Sequence, residues 1–285
     1  MKEPVFRTIA TAIAFSPNME ANIAESVRVR DMLGEKLLLI HVGDRQQESE
    51  EQVLEAMSRC GCTPDDVELI WESGDPVSAI LKVAEERRVD LIVAGAQPRE
   101  GLLRYYMGSV ARRLVRKSNC SILLLTSPSP MKRNCNRIVV NGLDHPKTPH
   151  TILKALAVAE RIHAEELVIV EEVEPSRIGT RVEDSKTLEK AHEAQSRIEK
   201  EEQERIDGIL GDAREKSSLP ISQKCIFGKK GYTIGHFAET TGADLLVMNS
   251  PDTKLGFLDR VFTHDLEYIL SELPSDLLIV HSQKH

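Results

Sequence analysis

The chain has 285 residues, 41% of them apolar, and a net charge of −8 from 45 acidic and 37 basic side chains. This length suggests about two domains, large enough to need no stabilising disulfide or structural metal. The negative charge argues against a nucleic-acid partner, and the apolar runs are far shorter than the ~18 residues of a membrane span.

Strands and helices are predicted to alternate from the N-terminus. The first strand is Thr8–Phe15, which we interpret as part of the fold and not as a signal peptide. Ser16 or Asn18 is predicted to cap the helix that follows, and Gly34 to end it. The later elements are strand Lys36–Val42, helix Glu48–Cys60, strand Asp66–Trp71, helix Asp75–Arg88, strand Asp90–Gly95, a helix after Gly108 and strand Ser121–Leu125. Five strands and four helices in this order predict an open parallel sheet with helices on both faces.

The second part of the chain repeats the first. Ala84–Gln97 and Ala238–Pro251 are identical at five of fourteen positions. The offset between the copies grows by about 25 residues within Glu183–Leu210, a charge-dense stretch that we predict to be a long exposed helix. The predicted organisation is one domain at 1–128, a Ser/Pro-containing linker at 129–136, and a second domain at 137–285 with the helical insertion at about 183–210.

Three loops of the first copy are candidates for a ligand site. Ligands of such sheets bind beyond the carboxyl ends of the strands, which here are Ala14–Ser16, Val42–Gly43 and Gly95–Pro98. Beyond Gly95, the pair Gly108-Ser109 opens a helix, and the free amides of a helix start suit phosphate oxygens.

Basic residues surround this helix start. From Gly101 through Leu143 there is no Asp or Glu, and the basic residues are Arg104, Arg112, Arg113, Arg116, Lys117, Lys132, Arg133 and Arg137. This pattern predicts a local positive field. The alternative is a helix with a solvated basic face.

The same segment resembles the signature of the universal stress protein family, which is Gly, two residues, Gly, nine residues, then Gly-Ser or Gly-Thr. Gly95, Gly108 and Ser109 match it, and Pro98 stands at the second glycine. The strand end His41-Val42 also matches, and there we interpret His41 as structural. The resemblance covers nearly the whole chain as two tandem copies. It implies two five-stranded Rossmann-like sheets, of the adenine nucleotide alpha hydrolase-like type, packed as an intramolecular pseudo-dimer.

The resemblance also implies the residues of a nucleotide site. ATP-binding members have an Asp where this chain has Ala14, and Ser16 matches the Ser that follows it. The residue matching the family's adenine contact is Val42. The residues expected to hold the phosphates are Gly95, Pro98, Gly108, Ser109 and Val110. The missing carboxylate at Ala14 removes a polar contact, and Pro98 removes an amide from the loop.

The second copy departs further from the family pattern. Asn249-Ser250-Pro251 replaces the first glycine region, and Thr263-His264 replaces Gly-Ser. Asp259 and Asp265 bracket that loop with negative charge, which disfavours phosphate. Asp144 stands near the end of its first strand. We therefore predict that this copy does not bind ATP.

Three functional hypotheses remain open. The first is a stress-response sensor that binds ATP, with Mg²⁺, in its first domain. The second is a scaffold that binds no nucleotide and acts through a protein partner or a homo-oligomer, using the Glu183–Leu210 helix. The third, slow ATP hydrolysis, has least support, because no catalytic residues can be assigned from spacing. The five cysteines have no zinc or redox spacing, no metal site is predicted, and we expect a cytoplasmic protein without nucleic-acid or membrane partners.

Overall fold

The computed structural model describes residues 3–98, 105–106, 108–253, 260–261 and 264–282. Within the first half, the predicted elements are present with ends displaced by one or two residues. They are β1 (Thr8–Ile13), α1 (Met19–Leu33), β2 (Lys36–Val42), α2 (Gln47–Arg59), β3 (Glu68–Glu72), α3 (Pro76–Glu86), β4 (Leu91–Gly95), β5 (Gln97–Pro98), β6 (Tyr105–Tyr106), α4 (Ser109–Lys117) and β7 (Ser121–Leu125).

The second half repeats this order. Its elements are β8 (Arg137–Asn141), α5 (Thr148–Ile162), β9 (Glu166–Val173), α6 (Ser185–Lys216), β10 (Ile221–Phe227), α7 (Tyr232–Thr240), β11 (Leu245–Asn249), β12 (Asp252–Thr253), β13 (Arg260–Val261), α8 (His264–Ser271) and β14 (Asp276–Val280). The short antiparallel pairs β5–β6 and β12–β13 were not predicted. They lie at equivalent places, after β4 and after β11.

The main strands form one continuous sheet of ten, in the order β10-β9-β8-β11-β14-β7-β4-β1-β2-β3. Each half contributes five parallel strands, and the two halves meet where β7 and β14 pair antiparallel, with Leu277 opposite Leu124 and Ile279 opposite Ile122. The two predicted sheets are therefore joined edge to edge. Because this joint is antiparallel, the carboxyl ends of the two sets of strands lie on opposite sides of the molecule.

Helices cover both faces of the sheet. α1, α2, α5 and α6 pack on one face with alternate strand residues such as Ile9, Val93 and Val247. The residues between them, such as Ile92 and Leu246, pack against α3, α4, α7 and α8 on the other face. Each core contains residues of both halves, as expected for strands covered on both sides.

The insertion forms most of α6, which is 32 residues long and so extends beyond the predicted Leu210. The prediction of an exposed helix was wrong for one face, because Ala191, Ile198, Ile206 and Leu210 are buried. Gly211 interrupts the helix with a φ of 42°, a backbone conformation that favours glycine. α6 is thus an amphipathic helix docked on the sheet next to β10.

None of the helices in the described part of the chain combines the length and the apolar character needed to cross a membrane.

Candidate functional site

The predicted site residues of the first half meet at one edge of the sheet. Ala14 and Ser16 are exposed in the loop after β1, Val42 ends β2 and Gly95 ends β4. Because the order of the first-half strands reverses between β1 and β4, these loops flank the crevice where ligands of doubly wound sheets bind. Pro98 lies in β5, opposite Tyr105 of β6. Gly101 and Arg104 lie outside the described residues.

The N-terminus of α4 is open in the sense that no side chain of the described residues caps it. Gly108 precedes it in an extended conformation, and its first turn carries no acidic residue. Ser109 and Val110 are exposed. The first amides of a helix have no partner within the helix and carry its positive dipole end. This end of α4 can therefore bind an anion through the amides of residues 109–111 and the Ser109 hydroxyl.

Ion pairs offset part of the predicted local positive field around this helix. Arg112 pairs with Glu267 of α8. Arg113 donates to both carboxylate oxygens of Asp75, at 2.8 and 2.9 Å. Arg137, at the start of β8, pairs with Glu166. Arg116 and Lys117 lie in the last turn of α4, away from its open end. The sequence could not show this because all three carboxylates are distant in the chain from their arginines, by 155, 38 and 29 residues.

Asp75 has a second role. Its carboxylate caps α3 by accepting from the amide of Ser78 at 3.0 Å. The Arg113 guanidinium, together with that amide, holds the pKa of Asp75 far below its usual range. Asp75 therefore links the start of α3 to α4. Of the two predicted caps of α1, Asn18 occupies the N-cap position, but its side chain makes no cap hydrogen bond.

Asn22 is a site residue that sequence reasoning missed. Its side-chain amide lies beside Gly95, where a Cβ atom would come within 3.0 Å of Asn22 Oδ1. That oxygen is buried and has no hydrogen-bond partner among the residues that the structure describes. Ser26, one turn later, is fully buried and donates to the Asn22 carbonyl at 2.7 Å. The four-residue spacing of two polar side chains on the sheet-facing side of α1 is the signal that could have identified Asn22.

Phe15 of the β1–α1 loop belongs to a cluster of three aromatic rings. Phe15, Trp71 and His41 form one cluster, with the His41 ring 4.6 Å from Phe15 and 4.7 Å from Trp71, centroid to centroid. His41 Nδ1 also lies 3.2 Å from the Ile13 carbonyl. These contacts support the interpretation of His41 as structural. Trp71 is the only tryptophan of the chain.

The equivalent crevice of the second half is bridged by its own side chains. The Lys147 ammonium donates to the carbonyls of Ser250 and Pro251, at 2.9 and 2.8 Å. Asn249, which ends β11, bonds through its amide to Thr148 and Thr151 of α5. These bonds span the space between β8 and β11, which is the place equivalent to the crevice of the first half.

A charged network occupies the end of β9. Arg205 of α6 donates to Glu171, Glu202 and the carbonyl of Gly142, and Arg177 donates to Glu202 at 2.7 Å. Burial raises the pKa of Glu171 to about 8, against the attraction of Arg205. Burial raises the pKa of Glu202 as well, but the two arginines outweigh it and leave that pKa lowered.

Five further residues of the second half were singled out from the sequence. Thr263 and Asp259 lie outside the described residues, and His264 and Asp265 begin α8. Asp144 is exposed beyond the end of β8, and its amide bonds to Glu171. Among the residues that the structure describes, no group of three His, Cys, Asp or Glu side chains is arranged to hold a metal ion.

The fold and the crevice define a tandem α/β protein with two Rossmann-like halves. The chain belongs to the universal stress protein family, whose model matches residues 27–126 and 136–281.

Known proteins of this family resemble the chain in sequence and in fold. A universal stress protein of Methanocaldococcus jannaschii is 38% identical over 55 residues, or 19% of this chain, and one of Thermus aquaticus is 31% identical over 97 residues, or 34% of this chain. The matched stretches span only 32% of the first relative and 69% of the second. The crystal structure of a universal stress protein from Archaeoglobus fulgidus superposes with a TM-score of 0.67 at 15% identity, covering 97% of this chain and 98% of that one.

Proposed function

We propose that the first half binds an adenine nucleotide, ATP together with Mg²⁺, and that the protein acts as a nucleotide-responsive regulator. The observation that carries this proposal is the open N-terminus of α4, at the crevice between β1 and β4. Since the nearby arginines are paired, the helix amides and the Ser109 hydroxyl supply the attraction for phosphate.

The residues around the crevice fit such a ligand. The amides of residues 109–111 and the Ser109 hydroxyl would hold phosphate oxygens, and Val42 with the Ala14–Ser16 loop would lie by the base. Asn22 offers a buried amide oxygen that has no partner in the described part of the chain. Mg²⁺ needs few protein ligands, because phosphate oxygens and water complete its coordination.

We also propose that the second half binds no nucleotide. The hydrogen bonds of Lys147 and Asn249 cross its crevice, and a nucleotide would have to displace them. The proposed stoichiometry is therefore one nucleotide per chain.

Co-purification tests whether the nucleotide is bound in cells. The protein is purified gently and denatured, and mass spectrometry identifies released small molecules. We expect an adenine nucleotide from the wild-type protein and none from the Gly108→Val/Ser109→Ala variant. Gly108 has a φ of −61°, which valine adopts readily, so the variant should fold. The matched control is Thr263→Ala/His264→Ala in the second half, which should release as much nucleotide as the wild type.

Fluorescence of Trp71 provides a second readout in the nucleotide-free protein. Because the Trp71 ring lies near Phe15 of the Ala14–Ser16 loop, with 6.4 Å between the ring centroids, ATP should change its emission in a saturable way. Equal retention of nucleotide by the wild type and by the Gly108→Val/Ser109→Ala variant, with equal emission changes, would contradict the proposed site.

A scaffold role is the second candidate, and α6 favours it. This helix presents a long charged face to solvent beside the edge strand β10. If no nucleotide co-purifies and millimolar ATP changes neither the emission of Trp71 nor the melting temperature, the scaffold hypothesis replaces nucleotide binding.

A further inference from the structure

A cavity lies under α6, between this helix and the paired strands β9 and β10. Its volume is about 290 Å³. The strand side is formed by alternate residues of the two strands, Ile169 and Glu171 of β9 beside Gln223 and Cys225 of β10. None of the residues assigned to the nucleotide crevice lines this cavity, which lies in the other half of the chain.

Residues at helical spacing on α6 form the opposite side. They include Glu199, Glu202 and Ile206. Glu202 and Glu171 are buried on the two sides, with 7% and 5% of their surfaces exposed. The cavity therefore combines buried carboxylates with apolar surface.

The first half fills the equivalent space with aromatic rings. The strand registers make Glu171 and Cys225 the equivalents of His41 and Trp71. The His41 and Trp71 rings lie 4.7 Å apart, centroid to centroid, and Phe15 completes their cluster. In the second half, smaller side chains replace His41 and Trp71. The cavity under α6 therefore follows from the sequence of the second half and not from the shared fold.

Three carboxylates converge on this cavity. Glu171, Glu199 and Glu202 line it together with the Cys225 thiol. Burial raises the pKa of this thiol to about 11, and the charges of all three carboxylates raise it further. The carboxylates therefore all lie close to Cys225 and make the cavity attractive to a cation.

The nearby basic side chains compensate this charge only in part. Arg177 and Arg205 donate to two of the three carboxylates. Arg214 is paired with a carboxylate of its own helix. Lys224 is exposed, and strand alternation directs its side chain to the face of β10 opposite to that of its two neighbours. Asp144, exposed beyond β8, adds further negative charge near Glu171.

Gln223 supplies a hydrogen-bond acceptor at the cavity. Its Nε2 donates to Asp207 at 2.6 Å. Its Oε1 atom is buried and has no hydrogen-bond partner among the described residues. A ligand with an N–H donor would satisfy this oxygen. The cavity is also several times larger than the ~30 Å³ that a water molecule occupies, so it has room for an organic ligand.

We propose that the cavity under α6 binds a small organic ligand with a primary ammonium group, of the alkylamine class. The ammonium donates to Gln223 Oε1 and to the Glu171 carboxylate, and the alkyl chain packs against Ile169 and Ile206. The positive charge of the ligand replaces the proton that Glu171 holds in the empty cavity, and this proton passes to the solvent. The site does not depend on nucleotide binding by the first half.

Butylammonium and the uncharged 1-butanol test the charge requirement. Each is titrated into the full-length protein at constant ionic strength, and isothermal titration calorimetry measures the affinity. We expect butylammonium to bind at least tenfold more tightly than 1-butanol at pH 7. Equal affinity of the two, or no saturable binding of butylammonium up to 50 mM, would overturn the proposal.

The pH dependence of the affinity tests the contact with Glu171. Burial raises the pKa of Glu171 to about 8, so below pH 8 the ligand must displace a proton. Glu202 does not titrate in this range, because its pKa is lowered despite its burial. An alkylammonium stays charged there, as the lysine side chain does.

We therefore expect the affinity for butylammonium to rise about tenfold from pH 6 to pH 7, with about one proton released per ligand. Titrations in two buffers of different ionisation enthalpy count these protons. In Glu171→Gln the affinity should fall and both the pH dependence and the proton release should disappear. Affinity of the wild type that stays constant with pH would overturn the proposal.

Variants of β10 test the amide and the space separately. Gln223→Leu should weaken butylammonium at least fivefold and change the affinity for 1-butanol by less than twofold. Cys225→Trp, which restores the residue found at the equivalent position of the first half, should abolish binding of both probes. Should Cys225→Trp fail to fold, Cys225→Leu serves instead. The control is Glu189→Gln at an exposed position of α6, which should leave the affinity unchanged. Undiminished binding of butylammonium by either folded variant would overturn the assignment.

Discussion

Ala14 is exposed at the end of β1 and faces the crevice with only a methyl group. The family resemblance implies a carboxylate at this position in ATP-binding relatives. Asn22, whose Oδ1 atom is buried beside Gly95, is a polar side chain that this chain places nearby. The proposed nucleotide site therefore depends on its phosphate end, where Gly108 and Ser109 open α4.

Ala14→Asp is expected to strengthen ATP binding about tenfold, or ~1.4 kcal/mol, because it restores a charged hydrogen-bond acceptor at an exposed position. Titration of Trp71 emission with ATP measures the change. The matched control is Asp144→Ala, beyond the end of β8 in the second half, which should not alter the affinity. Weaker or unchanged ATP binding by the Ala14→Asp variant would mean that the adenine base of ATP binds elsewhere.

The buried Glu171 makes stability depend on pH. Because burial raises its pKa from about 4.5 to about 8, the folded chain keeps a proton that the unfolded chain has lost in this interval. The stability contributed by this group is therefore full below pH 4.5 and falls as pH rises towards 8. Glu171→Gln cannot lose a proton, so the melting temperature of the variant relative to the wild type should rise steadily from pH 5 to pH 8.

Thermal melts of both proteins at several pH values measure this difference, with about 2–4 °C expected for each kcal/mol. Glu165→Gln, at an exposed position before β9, serves as the control and should give a constant difference. If the melting temperatures of Glu171→Gln and the wild type changed in parallel with pH, Glu171 would be ionised in the folded protein over the whole range from pH 5 to pH 8.

Sequence reasoning found some of these residues and missed others for a physical reason. Gly108 and Ser109 belong to a local pattern whose spacing alone indicates a helix start. Asn22 reaches the site only because α1 packs over the junction of β1 and β4. The ion pair of Arg112 with Glu267 joins residues of different halves. Contacts of this kind depend on tertiary packing, which local pattern does not encode.

At the scale of the element, α6 was likewise predicted only in part. Its charge density and lack of proline predicted a long helix, and the helix is present. Its buried face was not predicted, although Ala191, Ala194, Ile198, Ile206 and Leu210 follow helical spacing, because the charged Glu202 lies among them and charged residues surround them. The Asp184 cap and the network of Arg205 with Glu171 and Glu202 fix its orientation over β9 and β10.

Substitutions at two apolar residues of α6 test whether this helix docks on the sheet. Ile206→Ala, at a site only 2% exposed, should lower the free energy of unfolding by about 2–5 kcal/mol. Leu188→Ala, at a site 42% exposed, should change it by less than about 0.5 kcal/mol. Urea denaturation compares the two variants. Equal small effects would indicate that α6 is not docked on the sheet in solution.

At the scale of the whole molecule, the internal repeat predicted two similar halves, and each half has the predicted parallel order. The edge-to-edge joint between β7 and β14 was not predictable in the same way, because both strands are uniformly apolar and could have packed by their faces. The joint makes one ten-stranded sheet with cores that both halves share.

A shared sheet should unfold as one unit. Ile92 in the first half and Leu246 in the second are both fully buried. Ile92→Ala and Leu246→Ala should each lower the free energy of unfolding by about 2–5 kcal/mol and lower the temperature of the same single calorimetric transition. Two transitions, each moved by only one of the variants, would show that the halves unfold independently.

The most direct test of the central claim is the number of ATP molecules bound per chain, counted by isothermal titration calorimetry with Mg²⁺ present. One open crevice and one crossed by its own hydrogen bonds predict a single site, absent in Gly108→Val/Ser109→Ala and retained in Thr263→Ala/His264→Ala. Two sites per chain, a single site that survives Gly108→Val/Ser109→Ala, or no heat at millimolar ATP would contradict it.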